Sequence, residues 1–155
     1  MTPAIRYLQM SNAEFTTHSY ECGVTDDFGH HAASQLGLPE EQVYKTLLVQ
    51  HDREVVTAVI PVNCMLSLKE VAKASGLKKV EMMKPADAER LTGYKVGGIS
   101  PFAQKKQTPT LIDSRAMAQS RILVSGGKRG VSVEIAPDEF VRLLNATVAP
   151  IAEQH

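Results

Sequence analysis

Apolar positions in this chain switch between a helical and an extended rhythm, and the switches fall at residues suited to caps and turns. Ile5, Leu8 and Met10 follow helical spacing behind Thr2 and Pro3, an N-cap oxygen followed by a residue whose missing N–H costs nothing in a first turn. A short helix is predicted there. Phe15 to Glu21 alternates and is rich in Thr and Tyr, as a strand is, whereas Cys22 to Gly29 reads as a loop and a candidate site wall. His30 to Leu36 with Gly37 behind it predicts a helix ended by glycine. Two apolar runs, Val43 to Gln50 and Val55 to Val62, predict strands joined by a turn at His51 to Glu54.

The second half carries the same signals. Ser67 and Glu70 form a capping box opening a helix that Gly76 closes. Lys79 to Met83 predicts a short strand, Pro85 to Leu91 a helix stopped at Gly93, and Val96 to Ala103 an irregular Gly/Pro segment. Strands follow at Thr110 to Asp113, Arg121 to Ser125 and Val131 to Ile135, with a helical turn at Ser114 to Ala118 and a glycine turn at Gly126 to Gly130. Pro137 to Leu144 predicts the last helix. Strand pairs with helices interspersed give an α+β class with a mixed sheet.

Composition narrows the picture. A chain of 155 residues, 43% hydrophobic, is long enough for one core, so a single domain over 1–155 is expected. Lys plus Arg equals Asp plus Glu at 17 each, leaving no whole-molecule field to draw it to nucleic acid. Contact with RNA must then come from local patches. Met1 to Arg6 lacks an apolar signal stretch and no run approaches the about 20 apolar residues that span a bilayer, so a cytoplasmic protein is expected. Cys22 and Cys64 are far apart, and the five histidines show no metal-ligand spacing, so neither a metal nor another cofactor is expected.

Some familiar signatures fail. Gly126-Gly127-Lys128-Arg129-Gly130 lacks the order of a P-loop, and Phe102 stands where a nucleophile elbow after Gly98-Ile99-Ser100 needs glycine. Three segments keep two readings each. Lys45-Thr46 sits in an apolar strand, where the lysine is either solvated or held at a pocket for its charge. Tyr94 to Pro101 is a surface loop or a glycine loop that brings backbone N–H groups close to a ligand. Ser125 to Gly130 is a turn between strands or a phosphate contact.

Together, Tyr20, Phe28-Gly29, Lys45-Thr46, Gly97-Gly98-Ile99-Ser100-Pro101 and Ser125 to Gly130 occur in an order and spacing that resembles the YbaK/EbsC family. The resemblance extends to Leu47-Leu48-Val49, Lys78 to Met82 and Val131 to Pro137, nearly the whole chain. That family is similar to the editing insertion of bacterial prolyl-tRNA synthetases. Its fold is a mixed sheet curled into a partial barrel with surrounding helices. The resemblance implies hydrolysis of the ester joining an amino acid to the tRNA 3′-terminal adenosine, on Cys-tRNA(Pro), with deacylation of Ala-tRNA or another small aminoacyl-tRNA as an alternative. A non-catalytic module binding the tRNA end or a synthetase is the reading from another class. The essential lysine falls on Lys45, and substrate contacts on Tyr20, Phe28, Thr46, Gly97, Gly98, Ile99, Ser100, Pro101, Ser125, Gly126 and Gly127. Family members usually carry glycine where this chain has Ala103, which strains the loop if that position takes a positive φ.

An aminoacyl ester is already activated, so its hydrolysis needs oxyanion stabilisation and placement more than a protein nucleophile. Lys45 offers a charge and the amides of Gly97, Gly98 and Ile99 a concavity for that purpose. For cysteine the resemblance implies attack by the substrate's own thiol, with a bound water as the competing route. The expected partners are the aminoacyl-tRNA acceptor end, through clusters such as Lys105-Lys106 and Lys128-Arg129, and prolyl-tRNA synthetase.

Overall fold

The computed structural model describes residues 1–21 and 28–154, with the side chains of 28 and 29 outside that description. Of the expected loop and candidate wall at Cys22 to Gly29, residues 22–27 therefore lie outside the described residues, and Phe28 and Gly29 are the first turn of a helix instead of loop. Helix α1 (Pro3–Met10) starts as its cap predicts: the Thr2 Oγ1 accepts from the Ile5 N–H at 3.1 Å. That hydroxyl also donates to the Gly126 carbonyl at 2.5 Å, tying the helix to a hairpin at the far end of the sequence.

Strand β1 (Phe15–Ser19) and helix α2 (Phe28–Leu36) follow, then a 3-10 turn at Glu40–Gln42. Strands β2 (Tyr44–His51) and β3 (Glu54–Pro61) form a hairpin in which His51 pairs with Glu54, and Asp52 takes the positive φ that a two-residue turn demands. Strand β4 (Cys64–Leu66) leads into helix α3 (Leu68–Ser75). Half of the expected capping box forms. The Ser67 Oγ accepts from the Glu70 N–H at 3.2 Å, but the Ser67 N–H donates to the Ile151 carbonyl at 2.8 Å and so is not available to Glu70. Strand β5 (Glu81–Met82), helix α4 (Pro85–Thr92), strand β6 (Thr110–Asp113) and a 3-10 turn at Ser114–Ala118 come next.

Strands β7 (Ile122–Lys128) and β8 (Val131–Ile135) make a second hairpin. The turn expected at Gly126 to Gly130 is shorter: Gly126 and Gly127 form instead a bulge inside β7, where the register slips between Ser125 and Lys128. Arg129 and Gly130 make the turn. Helix α5 (Pro137–Leu144), β9 (Thr147–Ala149) and β10 (Ala152–Gln154) close the chain. Strands β4, β9 and β10 have no counterpart in the sequence pattern. The fully buried Asp113 carboxylate explains the last two: its Oδ1 accepts from the Ile151 and Ala152 N–H groups at 3.0 and 2.9 Å.

The ladders resolve into three sheets: antiparallel β1-β8-β7, mixed β5-β2-β3-β6-β9, and a β10-β4 ribbon. The α+β class with a mixed sheet is what the structure shows. One sheet curled into a partial barrel is not: a bridge from Val43 to Leu123 joins the first sheet to the second, and beyond it their strands separate. One cluster of buried side chains, including Leu8, Tyr44, Phe102, Ile122 and Phe140, fills the space between the first two sheets, α1 and α5. A second, including Val49, Ile60, Val71 and Ile151, lies on the other face of β2 and β3 under α3.

Candidate active site

The separation of the sheets creates the site. Just before β2 the Val43 carbonyl accepts from the Val62 N–H, and on β2 the Leu48 carbonyl accepts from the Met83 N–H beside β5. Main-chain groups alternate in direction along a strand, so those of Thr46, like those of Leu48, point away from β3. From the Val43 bridge to Leu48 lies about 17 Å of backbone with which, among the described residues, no strand pairs on that side. The gap is a groove of about 410 Å³, within the range of small-molecule sites. Its walls include Val43 and β2 from Tyr44 to Leu48, β7 from Leu123 to Ser125, Ser132 of β8, Met82 and Met83, Pro85 and Ala88 of α4, and Val96, Gly97 and Ile99.

Lys45 and Thr46 leave opposite faces of β2, yet both line the groove because β2 is an edge there. The Thr46 Oγ1 is buried and has no hydrogen-bond partner among the described residues. A buried hydroxyl left so is costly in a structural role and useful in a binding one. Tyr44 also contributes to the groove's lining, but its buried hydroxyl, without a partner among the described residues, faces the region of Asp113 and Arg115 instead; burial first, then the Asp113 charge, pushes its phenol above the usual tyrosine range, so it stays neutral. Ser125 and Ser132 face each other across β7 and β8. Tyr20 closes one side. Its N–H donates to the Gly130 carbonyl at 2.9 Å, and its ring lies 5.9 Å from that of His31, whose Nε2 bonds the Glu21 carbonyl at 2.6 Å.

The groove thus brings together Tyr20, Lys45, Thr46, Gly97, Ile99 and Ser125 of the expected site residues. The Phe28 side chain lies outside the described residues. Gly98, Ser100, Pro101, Gly126 and Gly127 do not line it. Gly98 is where the loop meets the β7–β8 turn: a Cβ there would stand 2.8 Å from the Arg129 nitrogen and the Lys128 carbonyl carbon. Its N–H already donates to the Lys95 carbonyl at 2.8 Å, which removes it from the expected oxyanion donors. Among the described residues the amides of Gly97 and Ile99 have no backbone acceptor. Ser100 is fully buried, its hydroxyl accepting from the Phe102 N–H at 3.2 Å. Pro101 is buried with its carbonyl bonded by the Gln107 side chain at 3.0 Å. Gly126 packs on Val131, and Gly127, at φ +98, on Tyr94 and Thr2.

Sequence reasoning missed Ser132, Tyr44 and the apolar wall of Met82, Met83, Pro85, Ala88 and Leu123. Only the strand alternation around Ser132 hinted at any of them. Among the described residues lining the groove there is neither cysteine nor histidine. Cys64 lies elsewhere, nearly fully buried, and burial pushes its thiol up, which disfavours the thiolate a nucleophile needs.

Among the described residues the groove combines the Lys45 cation, the unpartnered Thr46 hydroxyl and two loop amides without a backbone acceptor, a set that suits an activated ester. The model of the "Aminoacyl-tRNA editing domain" family matches residues 28–143. The chain is 39% identical, over 97% of its length and 92% of the relative's, to the Enterococcus faecalis protein named "Putative Cys-tRNA(Pro)/Cys-tRNA(Cys) deacylase EbsC". It is 32% identical over 85 residues, 55% of its own length and 15% of the relative's, to a proline–tRNA ligase of Acidithiobacillus ferrooxidans. The crystal structure of hypothetical protein APE2540 superposes with a TM-score of 0.89 at 25% identity, covering 97% of this chain and 99% of that one. The chain belongs to the YbaK/EbsC group of the aminoacyl-tRNA editing domain family. Among the described residues no helix is long and apolar enough to cross a membrane.

Proposed function

We propose that the chain deacylates mischarged Cys-tRNA(Pro), cleaving the ester between cysteine and the 3′-terminal adenosine. The observation that carries this reading is the meeting of Lys45, the unpartnered Thr46 hydroxyl and the Gly97 and Ile99 amides along one strand-edge groove, in a chain of an editing family. Lys45 places positive charge beside the ester carbonyl or the terminal phosphate, and the amides stabilise the developing oxyanion. The apolar wall receives a small, weakly polar side chain such as that of cysteine. The substrate thiol supplies the nucleophile: its sulfur bonds to the carbonyl carbon, the bond to the ribose oxygen breaks, and that oxygen leaves with the electron pair and takes the thiol proton. The amino acid departs as a cyclic thioester, which water then opens.

The test is single-turnover deacylation of tRNA(Pro) charged with cysteine, S-methylcysteine, alanine or proline. Cysteine is expected to be released fastest and S-methylcysteine hardly at all. Equal rates for cysteine and its S-methyl form would replace the thiol with water as nucleophile. Faster release of alanine would move the specificity, and no release of any would leave a binding module. With no net charge on the whole chain, tRNA selectivity is expected to come from prolyl-tRNA synthetase, so Cys-tRNA(Pro) and Cys-tRNA(Cys) should react alike until the synthetase is added.

A further inference from the structure

Val96 is held from two sides by opposite charges, neither of which lines the groove. Its N–H donates to the Glu89 Oε2, on α4, at 2.8 Å. Its carbonyl accepts from the Arg129 Nε, in the β7–β8 turn, at 2.7 Å. The backbone of the same turn presses on Gly98, two residues further on. Val96 and Gly97 themselves line the groove, so the wall carrying the candidate amides is fastened from behind to a helix and to a hairpin.

The chemistry of the shared peptide adds to the geometry. The Val96 carbonyl and the Gly97 N–H belong to one peptide unit, and in a trans peptide they point in opposite directions. A guanidinium bonded to the carbonyl therefore fixes the direction of the N–H. It also draws electron density toward the oxygen, which makes the N–H a stronger donor, as in any chain of polarised hydrogen bonds. Bonds to charged partners are stronger than neutral ones, so the clamp resists the reorientation that Gly97, at φ +88, would otherwise permit.

We propose that Glu89 and Arg129 are positioning residues that aim and polarise the Gly97 N–H toward the ester oxyanion, acting through Val96. The proposal rests on the deacylase reading for its catalytic part only. It assigns the exposed Arg129 to the loop, where its place in a basic pair suggested a phosphate contact.

The test compares Arg129→Ala, Glu89→Ala, Glu89→Gln and the Arg129→Ala/Glu89→Ala double variant in kcat and KM at low and high salt, with amide exchange followed at Gly98. Each alanine variant should lower kcat by about tenfold to a hundredfold, the scale of a misplaced catalytic group, with KM and its salt dependence unchanged. Glu89→Gln keeps an acceptor oxygen and should keep most of the activity. The double variant should lose little more than the worse single, because both residues act on Val96. Exchange at Gly98 should rise at least tenfold in Arg129→Ala while amides of β3 stay as they were. A raised KM with intact kcat, and a salt slope flatter by about 0.7, would make Arg129 a phosphate contact and overturn the proposal. If the unaltered protein releases no amino acid, the deacylase reading fails by itself and the exchange decides the clamp: unchanged exchange at Gly98 would overturn it.

Discussion

The two long walls of the groove treat their polar groups in opposite ways. On the β2 wall the strand edge is left open, with the Thr46 hydroxyl unpartnered and its main-chain groups turned from β3. On the other side Val96, Gly97 and Ile99 line the groove, and the loop they begin, running on to Thr108, ties most of its polar groups to itself and to its neighbours. The Gln104 Nε2 donates to the Thr57 Oγ1 at 3.1 Å and the Ser100 carbonyl at 3.3 Å, and its Oε1 accepts from the Thr108 hydroxyl at 3.1 Å. Gln107 reaches the Pro101 carbonyl, and Ser100 serves Phe102. The difference separates two jobs. A regular strand exposes groups to a ligand because its position is fixed elsewhere in the sheet, whereas an irregular loop must consume its own groups to stay in place.

The largest expected effect breaks the open wall. Lys45→Ala should lower the deacylation rate by about 10²–10³ while the melting temperature stays near that of the unaltered protein, since removing one oxyanion-stabilising group costs that much. Lys45→Arg should fail as well, its planar guanidinium being larger than an ammonium and differently directed. A folded Lys45→Ala protein with full turnover would return the lysine to a solvated strand position and leave the comparison without its catalytic side. On the satisfied wall, Gly98→Val should unfold more than it inactivates. Its Cβ meets backbone, which yields less than a side chain, and overpacking of this kind costs about 1–3 kcal/mol. Thermal unfolding should move down by about 2–4 °C for each of those kcal/mol. An unshifted transition with lost activity would restore Gly98 to the ligand side.

How legible this was in the sequence follows the same division. Helix starts and stops were legible because a local cap declares them: Thr2 before α1, Gly76 and Gly93 after α3 and α4, both with positive φ. So was the pairing of Lys45 with Thr46 in a strand. Strand β9 was not legible, because it is added to the sheet by long-range pairing and anchored by an Asp113 whose burial no local pattern announces. Ser100 and Gly98 looked like ligands for a related reason. Serine and glycine are as useful for closing a loop as for touching a substrate, and only packing tells which. The glycine bulge in β7 looked like a turn because its register slip depends on the partner strand.

A subtler test of the open wall is Thr46→Val, which keeps the shape and removes the hydroxyl. An unpartnered buried hydroxyl costs the folded state about 1–3 kcal/mol, so the valine protein should melt no lower than the original and is expected to melt higher. If the hydroxyl bonds the substrate, kcat/KM should fall by up to about tenfold, the scale of one neutral hydrogen bond. Activity preserved in a more stable protein would leave the hydroxyl unexplained and shift the polar side of the groove to Ser125 and Ser132.

The smallest expected effect sharpens the satisfied loop at Ala103. Its φ is +54, in the left-handed region that costs an L-residue roughly 1–2 kcal/mol. The loop holds it there: the Tyr94 hydroxyl donates to the Phe102 carbonyl at 2.7 Å and reaches the Ala103 carbonyl at 3.3 Å, while the Gln104 N–H donates to the Gln107 side chain. Ala103→Gly relieves the strain but gives the unfolded chain more freedom, an offset of about 0.4–1 kcal/mol. The net gain should be about 0.5–1 kcal/mol, seen as a rise of about 1–4 °C in Tm with kcat unchanged. A fall in Tm would mean that the neighbouring hydrogen bonds already hold Ala103 without strain. A rise in Tm with lower kcat would be more informative still, because it would show that the alanine stiffens the Val96 to Thr108 wall, and that rigidity there contributes to catalysis as the open strand edge does.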